Sequence, residues 1–255
     1  LSEMVPDGKV GYVVSPEVDE ISEALLRFFN ENKLAVLGFD QQGHGRTAGI
    51  RGDMIGLESL LDDVGVCLDE ARQRYPGAPI ILYGHSLGGQ EVLSFLLKRR
   101  PVGVVGAVVT SPWIDLPKPT SFLKISAGKF LKMVAPKVTL PNDLYFPGIS
   151  RDPEELEKYK NDPLVHGMIS ARAGIDLWRN ARWLQTFSGE MPVPTLLMHG
   201  SGDLLTSFPA SEAFSKRVQN LEWRAWPGFY HELHNEPEKL EVYQVILDWI
   251  NQRIN

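Results

Sequence analysis

Cysteine is nearly absent from this sequence, since Cys67 is the single one among 255 residues, and this excludes a disulfide framework. No apolar run approaches the length of a membrane span, and the chain shows neither an internal repeat nor a cluster with the spacing of metal ligands. Positive charge is also scarce: acidic side chains outnumber lysine and arginine by 32 to 26, for a net charge of −6. We therefore expect no nucleic-acid partner. Because a signal peptide is missing too, we expect a cytoplasmic protein, with peripheral membrane contact at most.

The composition suits one domain of the α/β class. With 43% hydrophobic and 23% charged residues, a chain of this length can bury a sizeable core. Short apolar runs alternate with segments of helical periodicity, which predicts a mostly parallel sheet covered by helices on both faces. The predicted strands are 34–39, 79–83, 104–109, 194–198 and 221–225, and the predicted helices are 21–30, 57–75, 90–98, 209–219 and 239–253.

This alternation breaks over residues 116–191, where a long segment separates two predicted strands. Open α/β sheets bind their ligands beyond the carboxyl ends of the strands. We therefore interpret 116–191 as a cap inserted above the active site. The core of the domain then consists of 1–115 and 192–255.

The start of the insertion combines apolar residues with lysines. Residues 116–141 carry five lysines and no acidic residue. On a helix over 122–134, seven apolar residues fill one half of the helical wheel: Phe122, Leu123, Ala127, Phe130, Leu131, Met133 and Val134. Two interpretations stay open: a cap helix packed on the core with a solvated lysine face, or an interfacial helix that lies on lipid aggregates. We expect four of these residues to line or border an apolar substrate tunnel: Phe122, Leu123, Phe130 and Leu131.

The stretch Gly-His-Ser-Leu-Gly at 84–88 carries the strongest chemical signal. It fits the pattern G-x-S-x-G and lies between an apolar strand and a predicted helix, which is the setting of a nucleophile elbow. Small neighbours tolerate the strained backbone of the serine in such a turn. The Ser86 hydroxyl then rises above the sheet edge, and the Leu87 backbone N–H at the helix start faces developing negative charge as an oxyanion donor. We interpret Ser86 as the nucleophile of an acyl-transfer reaction.

A serine nucleophile needs a base, and the base needs an orienting acid. Of six histidines, His231 and His234 follow the last predicted strand, and we favour His231 because its loop can swing an imidazole over the sheet edge. For the acid we favour Asp203, which follows the penultimate predicted strand, over Asp115, where a turn cap is the simpler role. Ser86, Asp203 and His231 then follow the chain order expected of an α/β-hydrolase.

Together these segments resemble one family. From about residue 19 to the C-terminus, the chain is similar to the monoacylglycerol lipase and lysophospholipase group of α/β-hydrolases. Beside the elbow, the shared motifs are Phe-Asp-Gln-Gln-Gly-His-Gly-Arg at 39–46, Asn-Asp-Pro-Leu-Val at 161–165, Gly-Ser-Gly-Asp at 200–203 and Tyr-His-Glu-Leu-His at 230–234. The resemblance implies that Ser86, Asp203 and His231 form a catalytic triad.

One segment departs from this family. The family carries a strand that ends in His-Gly before its first helix, and the loop after it supplies a second oxyanion N–H, but no His-Gly precedes the first predicted helix here. In one interpretation, 9–14 is that strand, and Ser-Pro-Glu-Val at 15–18 replaces the loop with a proline and a glutamate that oppose catalysis. In the other, which we favour, 7–10 is an earlier strand and a segment is missing, with a main-chain break between Val14 and Ser15.

The sequence therefore predicts an α/β-hydrolase fold with a helical cap, and a serine esterase that needs no cofactor and no metal. The resemblance implies a small lipid ester as the substrate, with a monoacylglycerol as the first choice. A lysophospholipase or a broad carboxylesterase stays open. A catalytically weak binding protein of the hydrolase fold also stays open, if the second oxyanion donor is absent.

Overall fold

The structure is a computed structural model that describes residues 2–4, 11–15, 23–142 and 145–254. Seven of the described strands form one sheet in the order β1-β3-β2-β4-β5-β8-β9. The first is antiparallel to its neighbour and the other pairs are parallel. The strands are β1 (Ser2–Met4), β2 (Gly11–Ser15), β3 (Leu34–Gly38), β4 (Ile80–His85), β5 (Val104–Thr110), β8 (Gly189–Gly200) and β9 (Val218–Trp226), and a separate pair consists of β6 (Thr139–Pro141) and β7 (Met168–Ser170).

Helices cover both faces of this sheet. The described helices are α1 (Glu23–Glu31), α2 (Leu57–Arg74), α3 (Ser86–Arg99), α4 (Phe122–Val134), α5 (Pro153–Asn161), α6 (Ala171–Thr186), α7 (Phe208–Arg217) and α8 (Lys239–Ile254). Side chains of α1 and α8 form one core cluster with the sheet. Side chains of α2, α3, α6 and α7 form the other. This arrangement confirms the predicted fold class.

The strands explain why the core has two halves. Successive side chains of a strand point to opposite faces, so Leu82 and Val109 join the cluster on one face, whereas Ile81 and Val108 join the cluster on the other. Both faces are covered, so every position of β4 is buried. An unbroken apolar run in the sequence is the consequence.

Helix α2 packs through the apolar stripe that its periodicity predicts. The buried positions are Leu57, Leu60, Leu61, Val64, Cys67, Leu68 and Ala71. Burial raises the pKa of the Cys67 thiol to about 12. The thiol therefore stays protonated and packs as a small apolar side chain.

The favoured interpretation of the first strands was wrong. β2 lies between β3 and β4 and is parallel to both, and it is the strand before the first helix, as the other interpretation had it. Val14 and Ser15 are consecutive residues of β2 and pair with Leu37 and Gly38, so the main-chain break expected between them is not found. Residues 7–10 and 16–22 lie outside the described residues.

Residues 116–191 include both peripheral and core segments. No residue of α4 or of α5 is buried. In contrast, α6 buries seven residues, and Ala173, Leu177 and Leu184 belong to the core cluster with α2 and α3. The division of the chain into a core and a cap at 116–191 therefore stays a prediction. Among the described residues, no helix combines the length and the apolar character that crossing a bilayer requires.

Candidate active site

Ser86 occupies a sharp turn between β4 and α3. Its φ of 51° lies in the left-handed region, which is strained for a residue with a side chain. The serine directly follows the last residue of β4 and is the first residue of α3, so its hydroxyl lies at the carboxyl edge of the sheet. Trp113 donates its backbone N–H to the Ser86 carbonyl at 2.9 Å and so ties this turn to the chain beyond β5.

Glycines make this turn possible. A Cβ on Gly84 would lie 2.4 Å from the Gly88 carbonyl oxygen, and a Cβ on Gly89 would lie 3.0 Å from Cβ of Pro112. Backbone therefore approaches backbone where the strand enters the helix, and only a residue without a side chain fits at Gly84. The G-x-S-x-G pattern thus has a packing explanation in this chain.

Asp203 and His231 meet through a short hydrogen bond. His231 Nδ1 lies 2.7 Å from Asp203 Oδ2. Asp203 follows β8 and His231 lies in the loop between β9 and α8, so two neighbouring strands bring the pair together. Asp115, the rival acid, accepts instead from the backbone N–H of Leu116 at 2.9 Å, as expected for a turn cap.

Asp203 has more partners than the sequence analysis named. The backbone N–H groups of Leu205 and Thr206 donate to Oδ1 at 2.7 and 3.0 Å, and the Thr206 hydroxyl donates to Oδ2 at 2.9 Å. Burial opposes ionisation of this carboxyl, but His231 and His199 outweigh it and hold the pKa of Asp203 well below its usual range. Asp203 is therefore a fixed anion at neutral pH.

His199 is the partner that sequence reasoning missed, because it was interpreted as a packed residue at a strand end. Its Nε2 lies 2.8 Å from Asp203 Oδ2, and its Nδ1 lies 2.8 Å from Ser211 Oγ. Burial lowers the pKa of His199 although Asp203 favours its charged form. A neutral ring that donates through Nε2 and accepts through Nδ1 satisfies both partners. Its position four residues before Asp203 was the available signal.

Two further histidines, His85 and His234, lie near His231. The His85 ring lies 4.7 Å from the His231 ring and 4.9 Å from the His234 ring, measured between centroids. His85 Nδ1 contacts Thr110 Oγ1 at 2.9 Å, and burial lowers its pKa well below the usual value. The His234 carbonyl accepts from the Tyr243 hydroxyl at 2.7 Å. Of the two candidates for the base, His231 is the one that contacts Asp203.

A cavity of about 360 Å³ is lined by both Ser86 and His231. Most of its walls are apolar, and side chains of the insertion and of the core contribute together. The apolar lining includes Met54, Leu87, Trp113, Leu116, Ile125, Leu131, Ile149, Ile169, Ile175, Trp178 and Leu205. Within the described residues, no group of three or more His, Cys, Asp or Glu side chains is arranged to hold a metal ion.

One wall of the cavity is polar and joins the insertion to the core. The rings of His44 and His166 lie 4.7 Å apart, and both border the cavity. His166 Nε2–H donates to the Gly43 carbonyl at 2.8 Å, while its Nδ1 accepts from the Met168 backbone N–H at 3.3 Å. Burial, together with the neighbouring His166, lowers the pKa of His44 to about 4. This wall therefore presents an uncharged imidazole of His44 at neutral pH.

The predicted tunnel residues on α4 require a correction. Leu131 lines the cavity, but Phe122, Leu123 and Phe130 do not; their side chains are exposed. Five of the seven apolar residues are exposed, whereas Ala127 and Leu131 line the cavity. The same side of the helix carries Lys124 and Gly128, which also line the cavity. Amphipathic periodicity alone does not tell which side of a helix meets the core.

Only one oxyanion donor can be named. The Leu87 backbone N–H lies in the first turn of α3, where helical N–H groups have no partner within the helix, and Leu87 borders the cavity. The loop 16–22, in which the second donor is expected, lies outside the described residues.

A strained serine between a strand and a helix, with an aspartate and a histidine paired beside it, defines a serine hydrolase of the α/β-hydrolase fold. Comparison with known proteins agrees. The model of the family Hydrolase_4, described as serine aminopeptidase, S33, matches residues 18–238. Monoacylglycerol lipase from Mycolicibacterium smegmatis is 30% identical over 225 residues, which cover 87% of this chain and 80% of that protein.

Two further relatives extend the comparison. The structure of Paleococcus ferrophilus monoacylglycerol lipase superposes with a TM-score of 0.87 at 27% identity, covering 99% of this chain and 98% of that one. An uncharacterized abhydrolase domain-containing protein from Dictyostelium discoideum is 34% identical over 91% of this chain, which spans 25% of the length of that protein. The chain thus belongs to the Hydrolase_4 family, and it is a serine ester hydrolase.

Proposed function

We propose that this chain is a monoacylglycerol lipase. The observation that carries the proposal is the cavity at Ser86 and His231, whose walls are mostly apolar. A site of this kind suits a ligand with an apolar tail and one small polar end. The monoacylglycerol lipases among the relatives support the same substrate class.

In the proposed reaction, Ser86 Oγ attacks the ester carbonyl and His231 accepts its proton. Asp203, a fixed anion, accepts the Nδ1–H of His231, so the free Nε2 is the nitrogen that acts as base. His231 then protonates the departing glycerol oxygen, and water attacks the acyl-enzyme to release the fatty acid and regenerate Ser86. The Leu87 N–H stabilises the oxyanion in both halves.

Residues 116–191 act in this proposal as the cap over the acyl chain, and no residue of its helix α4 is buried. Five apolar side chains of α4 are exposed: Phe122, Leu123, Phe130, Met133 and Val134. An exposed apolar helix face suits a lipid surface. We include transient contact of α4 with membranes or lipid aggregates in the proposal, because the substrate is itself a membrane lipid.

The direct test compares ester substrates on the purified protein. Monoacylglycerols, lysophospholipids and aryl esters of matched acyl lengths are hydrolysed in parallel, with Ser86→Ala as the control. We expect the highest kcat/KM for monoacylglycerols with long chains, and a loss in Ser86→Ala on the order of 10⁴-fold or more. A preference for lysophospholipids would identify a lysophospholipase, equal rates on short aryl esters a broad carboxylesterase, and no turnover at all a binding protein.

A further inference from the structure

The insertion holds the loop that carries His231 through the four residues 148–151. The Glu232 backbone N–H donates to the Ile149 carbonyl at 2.8 Å, and the His231 N–H donates to the Gly148 carbonyl at 3.4 Å. The Ser150 hydroxyl donates to the Asn235 carbonyl at 2.8 Å. The main chain at His231 is therefore bonded to the insertion as well as to the core, where the Ser111 hydroxyl donates to the His231 carbonyl at 2.7 Å.

The same four residues also touch the loop that carries the acid. A Cβ on Gly148 would lie 2.7 Å from Cδ1 of Leu205 and 2.9 Å from Cβ of Leu204, two residues that directly follow Asp203. Gly148 is thus wedged between the acid loop and the base loop. Ile149, next to it, lines the cavity, so this short segment meets the acid loop, the base loop and the substrate space.

An ion pair between the partly exposed Arg151 and the buried Glu236 completes the contact. Arg151 Nε–H donates to Glu236 Oε2 at 2.6 Å, and another guanidinium nitrogen donates to Glu238. The other oxygen of Glu236 accepts the backbone N–H of Tyr230, the residue before His231, at 2.6 Å. Arg151 therefore reaches the base loop through the Glu236 carboxylate, and its guanidinium also lies over the Phe229 ring, 4.7 Å from the ring centroid.

This carboxylate depends on its partners. The side chain of Glu236 has no solvent exposure, and burial raises its pKa although Arg151 and the Tyr230 N–H favour the charged form. Removing one partner of a buried ion pair leaves the other charge uncompensated, which costs more than the pair itself contributes. Loss of Arg151 is therefore expected to shift Glu236, and with it Tyr230 and the loop that follows.

We propose that Arg151 is a positioning residue for His231, and that through residues 148–151 the cap sets the alignment of the base. The inference rests on the proposed role of His231. Small displacements of a reacting group lower rates steeply, since about 1 Å can cost on the order of 10²-fold. Arg151 touches neither substrate nor reacting atoms, so its effect appears in kcat rather than in binding.

A second ion pair between the same parts of the molecule supplies a matched control. Lys239 Nζ lies 2.9 Å from Glu155 Oε1 and joins α8 to α5. Lys239→Ala removes one positive charge and one ion pair between insertion and core, whereas Arg151→Ala removes one positive charge and two such ion pairs. The ion pair lost in Lys239→Ala does not include Glu236.

The experiment measures kcat and KM on a soluble short-chain ester, the rate at which a fluorophosphonate labels Ser86, and thermal unfolding of each variant. We expect Arg151→Ala to lower kcat and the labelling rate on the order of ten-fold, with KM changed less than about two-fold. Arg151→Lys keeps the charge but lacks the planar guanidinium that donates to both Glu236 and Glu238. We therefore expect a smaller loss of kcat and of labelling rate, about three-fold. Lys239→Ala should stay within about two-fold of wild type.

Two results would overturn the inference: wild-type kcat and labelling in Arg151→Ala, or an equal loss in Lys239→Ala. If Arg151→Ala does not fold, Arg151→Lys becomes the deciding variant, and an unchanged kcat in that variant would contradict the inference. Failure of the proposed function looks different, because the wild-type protein itself would then hydrolyse no monoacylglycerol. The labelling rates would still compare the alignment of the base among the variants.

Discussion

Two regions of this molecule depart from the usual distribution of side chains: one buries polar side chains, and the other exposes apolar ones. Behind the cavity, polar and charged side chains are buried: Asp203, His199 and His231 lie together with little or no exposure. On α4, large apolar side chains face outward, and Phe122 and Leu123 are 81% and 79% exposed. Soluble domains ordinarily avoid both arrangements, because each costs free energy.

The difference lies in how each cost is met. Both oxygens of Asp203 accept hydrogen bonds from within the protein, so the buried charge is compensated inside the fold and held in one geometry. None of the residues of α4 is buried, so nothing inside the fold compensates its exposed apolar face. The first region is complete as it stands, whereas the second is suited to contact with something outside the protein.

The largest expected effect comes from replacing Asp203, the acid of the buried region. Asp203→Asn replaces the anion that holds His231 with a neutral amide, which favours the wrong tautomer of the imidazole. We expect kcat on a soluble ester to fall about 10³–10⁴-fold.

The matched control for this variant is Asp115→Asn. Asp115 caps a turn through Leu116 and does not contact His231 in the structure, so kcat should stay within about two-fold of wild type. Loss of activity in Asp115→Asn with activity retained in Asp203→Asn would reverse the assignment of the acid.

A smaller effect concerns stability and its dependence on pH. The folded-state pKa of Asp203 lies below the unfolded value of about 3.9. Its ionisation therefore stabilises the fold fully above about pH 4, and this contribution is lost as the pH falls through the lower folded value. Asp203→Asn should lower the free energy of unfolding at pH 7 by about 1–3 kcal/mol.

Urea unfolding at several pH values measures this difference. The gap between wild type and Asp203→Asn should be constant from about pH 7 to pH 5 and should narrow in strongly acidic solution. A gap that widens as the pH falls would mean that the carboxyl is protonated in the folded protein.

Much of this arrangement could be predicted from residues close together in the sequence. Short apolar runs identified the strands, because both faces of the sheet are covered. The period-3.6 pattern identified the buried stripe of α2, because one side of that helix faces the core. The turn at Ser86 is local as well, since its glycines lie within a few residues of it. The pairing of Asp203 with His231 followed from strand ends that meet at one sheet edge.

What the sequence did not predict depends on distant contacts. Arg151 and Glu236 are 85 residues apart, and neither carries a motif that would link them. The position of β2 depends on which strands it pairs with, which its own residues do not specify. Three of the four tunnel residues predicted on α4 were also wrong, because a helix with an apolar face has the same sequence pattern whether that face meets the core or a lipid surface.

The smallest expected effect tests the outward face of α4. Replacing Phe122 and Leu123 by serine removes exposed apolar area that would contact lipid. Activity on vesicles or dispersions of long-chain monoacylglycerol should therefore fall on the order of ten-fold. A soluble short-chain ester should still be hydrolysed within about two-fold of the wild-type rate. Two controls sharpen the result. Val66→Ser removes an exposed apolar side chain from α2 and should change neither rate, whereas Leu131→Ser alters the cavity wall and should lower both. Equal losses on both substrates in the Phe122 and Leu123 variant would show that this face supports the cap itself, and would remove the contrast between the two regions.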